Sequence, residues 1–190
     1  MRGSVDRFPN ADQRLRRLID RLREQLSRNQ TRVLDYSVNQ AGNTAGVSTV
    51  LYSSLVPAGL LSRNGDSLRL DASFILNGGG AGTQLRFYLG PLGVYTSGTI
   101  MYDTGSLPVS SAQSAVFSFL IIRYGISTSV FSLIVGSTFS TLKGASSFGS
   151  SAQNTQSNLY LTAIGDGANA NDAKGFLWQT TYIPTSTPGG

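Results

Sequence analysis

The chain has 190 residues and a mass of 20.2 kDa, and 40% of its residues are hydrophobic, enough for one domain with a buried core plus an appendage. Only 13% are charged, with Gly, Ser, Thr and Asn standing where charges usually sit, as in extended β proteins with many turns. There is no Cys and no His, which removes disulfides, thiolate metal sites, the usual general base and the commonest metal ligand, and so argues against an enzyme.

The opening residues Met1 to Asp6 lack the apolar stretch of a secretory signal, and no later apolar run reaches the ~18 residues that cross a bilayer. A chain made in the cytosol, with no membrane insertion, is the expectation. Its net charge of +5 is uneven: nine of the fifteen bases and five of the ten acids lie at or before Asp35. A charged segment of helical period therefore precedes a long Gly/Ser/Thr-rich segment of strand period.

Asn10 and Gln13 have capping-box spacing, Pro9 sits just before the cap, and Asp12 places negative charge in the first turn. From there Leu15, Ile19, Leu22, Leu26, Asn29, Val33 and Tyr36 follow one another at alternating intervals of four and three, a heptad seam. With Ile19, Leu26 and Val33 at a, the d positions are Leu15, Leu22, Asn29 and Tyr36; Arg16 and Arg23 fall at e, Leu18 and Arg32 at g. A stripe this narrow predicts a partner helix; a helix lying on its own domain has a wider apolar face. Ile at a with Leu at d favours dimers, whereas Leu18 at g widens the seam and suits a higher order. The run Leu26 to Thr31 resembles the asparagine-at-d motif of trimeric fibre and adhesin stalks, where three amides meet around an anion, and this resemblance implies a homotrimer.

Residues 37–47, with Gly42 and Gly46, read as a connector. Strands are expected at 50–56, 68–76, 84–89, 99–102, 115–124, 127–135, 158–164 and 176–183. The second opens on the turn Arg63, Asn64, Gly65, Asp66 and sets Leu68, Leu70, Ala72, Phe74 and Leu76 against Arg69, Asp71 and Ser73. The stretch 115–124 is apolar on both parities, as in a strand that is central to a core or covered by another subunit. Uneven Gly/Pro/Ser loops and no βαβ rhythm predict a two-sheet sandwich of jelly-roll type. The fold class is thus mainly β, an N-terminal coiled-coil helix followed by a jelly-roll β-sandwich. Its divisions are 1–11 (anchor), 12–36 (coiled coil), 37–47 (linker), 48–184 (sandwich) and 185–190 (tail).

The stretch Leu51 to Leu61, continuing through Asn64, Gly65, Asp66, Ser67, Leu68 and Arg69, resembles the opening of jelly-roll domains in structural proteins of tailed bacteriophages: tail fibres, head fibres and capsid-decorating proteins. The aromatic strand Phe176, Leu177, Trp178 is similarly placed. The resemblance implies a virion component.

Other chemistry fares worse. Gly78 to Gly82 has no following Gly-Lys-Ser/Thr and reads as a hairpin loop instead of a phosphate cradle. Asp166 to Asp172 is rich in oxygen ligands suited to Ca²⁺ but lacks EF-hand spacing and a closing Glu, so a solvated turn is preferred. A hydrolase would need an Asp pair, yet Asp66, Asp71 and Asp103 sit at apparent turns and strand starts. The helix arginines also fit an RNA-binding arm of a self-assembling jelly-roll coat protein, but Asp12, Asp20, Glu24 and Asp35 interrupt the charge. Nucleic acid is therefore not the expected partner.

The expectation is a non-enzymatic bacteriophage virion protein with no metal or cofactor, a homotrimeric surface spike that decorates or stabilises the capsid. Arg2, Arg7, Phe8, Arg14, Arg16 and Arg17 would dock to the major capsid protein or another acidic partner. The alternative is a short tail fibre that binds a host-surface glycan.

Overall fold

In the computed structural model, which describes residues 15–23, 30–77, 82–91, 99–107, 111–124, 129–137 and 148–185, the alternating apolar segments form two antiparallel sheets facing one another. The strands are β1 (Arg32–Ser37), β2 (Ala41–Gly42), β3 (Thr49–Val56), β4 (Ser67–Leu76), β5 (Gln84–Gly90), β6 (Thr99–Asp103), β7 (Gln113–Arg123), β8 (Ser129–Ser137), β9 (Phe148–Ala152), β10 (Leu159–Asp166) and β11 (Ala173–Ile183). One sheet runs β1, β11, β4, β7, β8, β9, with β2 also on β11; the other runs β3, β10, β5, β6. No helix among the described residues is long and apolar enough to cross a membrane.

The pairing is nested. β1 lies against β11, β3 against β10, β4 against β7 and β5 against β6, so first meets last and the innermost pair is a hairpin. A long hairpin folded over on itself in this way is a jelly roll. The chain adds β8 and β9 to the edge beyond β7.

Three elements differ from the sequence reading. Residues 15–23 are helical, but Val33 and Tyr36, placed on the helical seam, lie on β1 and pair with Thr181 and Gln179. The deciding residue is Leu34, which the heptad leaves off the seam and which packs against the sandwich core while Val33 and Tyr36 stay exposed. The ladder shifts register between Val33 and Asp35, which turns Leu34 and Asp35 inward and leaves Val33 and Tyr36 outside, and β-branched and aromatic side chains favour a strand here. The connector 37–47 likewise contains β2, and the stretch between the strands expected at 127–135 and 158–164 contains β9.

The core is aromatic. Phe87 contacts Phe117 and Phe119 with ring centroids 5.0 and 4.6 Å apart, and Phe74 meets Phe87 edge-on at 5.8 Å. Each of these rings is fully buried, and such pairs add about 0.5–1.5 kcal/mol beyond their area. Toward β1 the core changes character: Tyr52 stacks on Trp178 at 5.5 Å, and the Trp178 indole N–H donates to Ser54 Oγ. Ser54 Oγ also accepts from Thr180 at 3.1 Å and donates to Asp35 at 2.7 Å, so one hydroxyl ties β1, β3 and β11 together. On β7, Ala115, Phe117, Phe119 and Ile121 are buried; Leu120 and Ile122 on the other parity are half-buried and Val116 is exposed.

Candidate functional site

The turn between β3 and β4 builds one wall of a cleft. Gly65 has φ +90°, a left-handed conformation that glycine adopts without strain, and the Asp66 amide closes the reversal on Arg63 O at 3.1 Å. Asp66 is buried at 1% exposure and organises everything around it. Its Oδ2 accepts the amides of Ser62 and Arg63 at 3.0 and 2.8 Å, and its Oδ1 accepts the Thr185 amide at 3.1 Å. It also bonds the Tyr182 hydroxyl; burial raises that phenol's pKa, the Asp66 charge adds to the rise, and the Arg32 and Arg63 charges oppose it. Behind the turn, buried Arg123 donates to Leu61 O at 2.6 Å and exchanges backbone bonds with Gly65 and Asp66.

The opposite wall comes from Arg32 at the start of β1 and Tyr182 near the end of β11, partners across the ladder, with the Arg32 guanidinium 5.6 Å above the Tyr182 ring. Gln156 and residues 57–60 complete a cleft of about 410 Å³, of ordinary ligand-site size. Two arginines and, among the described residues, no Asp or Glu line it. Register places it at the end of the sandwich where the chain enters β1 and leaves β11.

The second candidate is the helix. Leu15, Leu18, Ile19 and Leu22 are 55, 52, 39 and 48% exposed, a continuous apolar face with Arg16 and Arg17 exposed beside it. Leu26, Asn29, Arg2, Arg7, Phe8 and Arg14 lie outside the described residues, as do Gly78 to Ala81 of the glycine loop.

The acidic candidates are occupied. Asp166 is ion-paired with Arg86, and Asp172 accepts the Asn169 amide at 2.7 Å. Asp71 pairs with Arg69 at 2.8 Å and accepts from Ser118; Asp103 accepts from Gln84 and the Gly105 amide. Among the described residues no group of acidic side chains is arranged to hold a metal ion.

Sequence reasoning missed the cleft. Arg32 is assigned to a coiled-coil flank, and Tyr182 and Gln156 carry no motif. The available signal is scarcity: Arg63 is one of only six bases after Asp35 and stands within the Asn-Gly turn.

No family model matches the sequence, and no curated protein matches it either. Among solved structures, the chain is similar to the CBM2 module of the evolved Dit of Lactobacillus casei BL23 phage J-1, at 8% identity and a TM-score of 0.43, over 83% of this chain and 98% of that one. It is also similar to the lectin UEA-II complexed with galactose, at 12% identity and a TM-score of 0.40, over 81% and 92% of the two chains. A third similarity is to the Gx strain of infectious bursal disease virus, at 13% identity and a TM-score of 0.36, over 84% of this chain and 33% of that one. Likeness at this level brings neither ligand nor partner to this chain, and the fold assignment stands on the nested strand order.

Proposed function

We propose that the protein is a non-enzymatic structural component of a bacteriophage particle, a homotrimeric surface spike that decorates or stabilises the capsid. The observation that carries this reading is the apolar helical face of Leu15, Leu18, Ile19 and Leu22, exposed on a chain whose sandwich has a buried core of its own among the described residues. A helix of this length is marginal alone in water, so burial against sister helices supplies both its stability and the reason for its sequence. Support also comes from the phage-like stretch Leu51 to Arg69, which forms β3, the Asp66-pinned turn and the start of β4.

Light scattering tests the reading. The full chain is expected at three times 20.2 kDa, and Leu15→Ser with Leu22→Ser at 20.2 kDa with an unchanged β circular dichroism signal. A wild-type monomer at high concentration overturns it.

A second reading, adhesion to a host-surface glycan, draws on the cleft, where Tyr182, Gln156 and Ser62 offer a ring, an amide and a hydroxyl. Two features weigh against it. The Tyr182 ring that a sugar would stack on carries the Arg32 guanidinium. A spike anchored by its N-terminal segment also turns this end of the sandwich toward the particle.

A further inference from the structure

We propose that the outer face of the larger sheet, where β1, β11, β4 and β7 lie side by side, is the surface on which the sandwich packs against a sister chain. The proposal rests on the assembly reading above, and it gives that assembly a second contact, between sandwiches, in addition to the one between helices.

The strand period decides which residues turn outward. On β7 the parity of Ala115, Phe117, Phe119 and Ile121 fills the core, and the opposite parity carries Val116, Leu120 and Ile122. The chain's own core thus accounts for one apolar side of this strand and leaves the other, with Val116 exposed and Leu120 and Ile122 half-buried. On β11, half-buried Leu177 alternates with buried Trp178 in the same way. On β1, Val33 and Tyr36 are exposed. The ladders set Val33, Thr181, Arg69 and Leu120 in one row, Tyr36, Gln179, Asp71 and Ser118 in the next, and Leu177, Ser73 and Val116 in a third.

The charges in these rows cancel. Arg69 pairs with Asp71 at 2.8 Å, and the Ser118 hydroxyl donates to the same carboxylate. A face neutralised from within meets a copy of a chain of net charge +5 without adding to the repulsion between them.

Chain continuity selects the occupant. Val33 and Tyr36 belong to the same seven-residue seam as Leu15, Ile19 and Leu22, so side chains spaced for sister helices reappear, still exposed, on the sheet. Arg32 follows Arg23, the last described helical residue, by nine positions (32 − 23), a reach of at most about 32 Å. Helices joined in a trimer therefore hold the sandwiches at an effective concentration on the order of millimolar, which a separate virion protein would have to outcompete. Around a threefold axis the contact is heterologous, so the face meets a different part of the sister chain.

The absence of cysteine from the sequence allows a direct test. Val116→Cys and Val33→Cys each place one thiol on the face. Maleimide labelling is timed in the full chain and in the same chain carrying Leu15→Ser with Leu22→Ser, with light scattering of every sample. Labelling at least tenfold slower in the trimer than in the helix variant is expected for both thiols. Equal rates while the chain scatters as a trimer overturn this proposal and leave the helix reading standing. Slow labelling in both backgrounds also overturns it, because the chain's own atoms then cover the thiol. A monomeric wild-type chain overturns both. Leu120→Lys supplies a second measurement: with an unchanged circular dichroism spectrum, the trimer dissociation constant in sedimentation equilibrium should rise at least tenfold, and an unchanged constant overturns the proposal.

Discussion

Asp66 illustrates how much one side chain decides. The sequence places it in a turn before a strand, as a residue that tolerates tight backbone geometry. In the fold it is a buried anion that gathers three amides and a phenol, and so fixes both walls of the cleft. Replacing it leaves these part-buried donors without their acceptor. Asp66→Ala is expected to destabilise the protein by about 2–4 kcal/mol, seen as a lower urea midpoint with an unchanged slope. An unchanged midpoint would show that the turn holds itself. Gly175 makes the complementary point: a Cβ there would meet the Tyr52 ring at 2.2 Å, so the glycine beside the β11 register shift leaves room for a core aromatic.

At the scale of elements, β1 separates the two regimes of the sequence. Its residues share the spacing of a coiled coil, yet Leu34 and Asp35 give it a place in the roll: one packs on the core, the other accepts from Ser54. This makes a truncation prediction. Removing residues 1–29 deletes a segment whose described helical part is wholly exposed, and should leave a folded sandwich with a melting temperature within a few degrees of the parent. Removing residues 1–37 takes away the partner of β11 and the acceptor of Ser54, leaves the ladder edge open, and should yield aggregated or unfolded protein by circular dichroism and gel filtration. Equal behaviour of the two truncations would return residues 32–37 to the appendage.

For the whole molecule, the absence of His and Cys sets how stability responds to pH. Without those side chains the unfolding free energy should be nearly flat between about pH 6 and 8. The alkaline side differs. Burial raises the pKa of Tyr52, of Tyr102 and of Tyr182, with the charge of Asp103 adding at Tyr102 and that of Asp66 at Tyr182. A raised phenol keeps its proton in the folded chain at pH values where the unfolded chain has released it. Their contribution is thus fully present below the ordinary value of 10.0 and lost as pH rises above it. Thermal melts at stepped pH should show a plateau through neutrality and a fall above that value; a flat alkaline limb would contradict it.

A period of two and turn residues such as Asn64-Gly65 are local properties, so the mainly β class, the charged helical segment ahead of the sandwich and the course of most strands could be read from the residues alone. Seven of the eight roll strands were legible this way, at β3, β4, β5, β6, β7, β10 and β11. The eighth strand expected, over 127–135, is the added β8, while β1 was hidden inside a heptad spacing. That β1 belongs to the roll is settled by packing alone, because its evidence is an open ladder edge on β11, 150 residues away in sequence for Arg32 and Tyr182 and beyond any local pattern. The cleft is the same case. Arg32, Arg63 and Tyr182 meet because first and last strands pair beside the β3–β4 turn, and no spacing along the chain records that meeting.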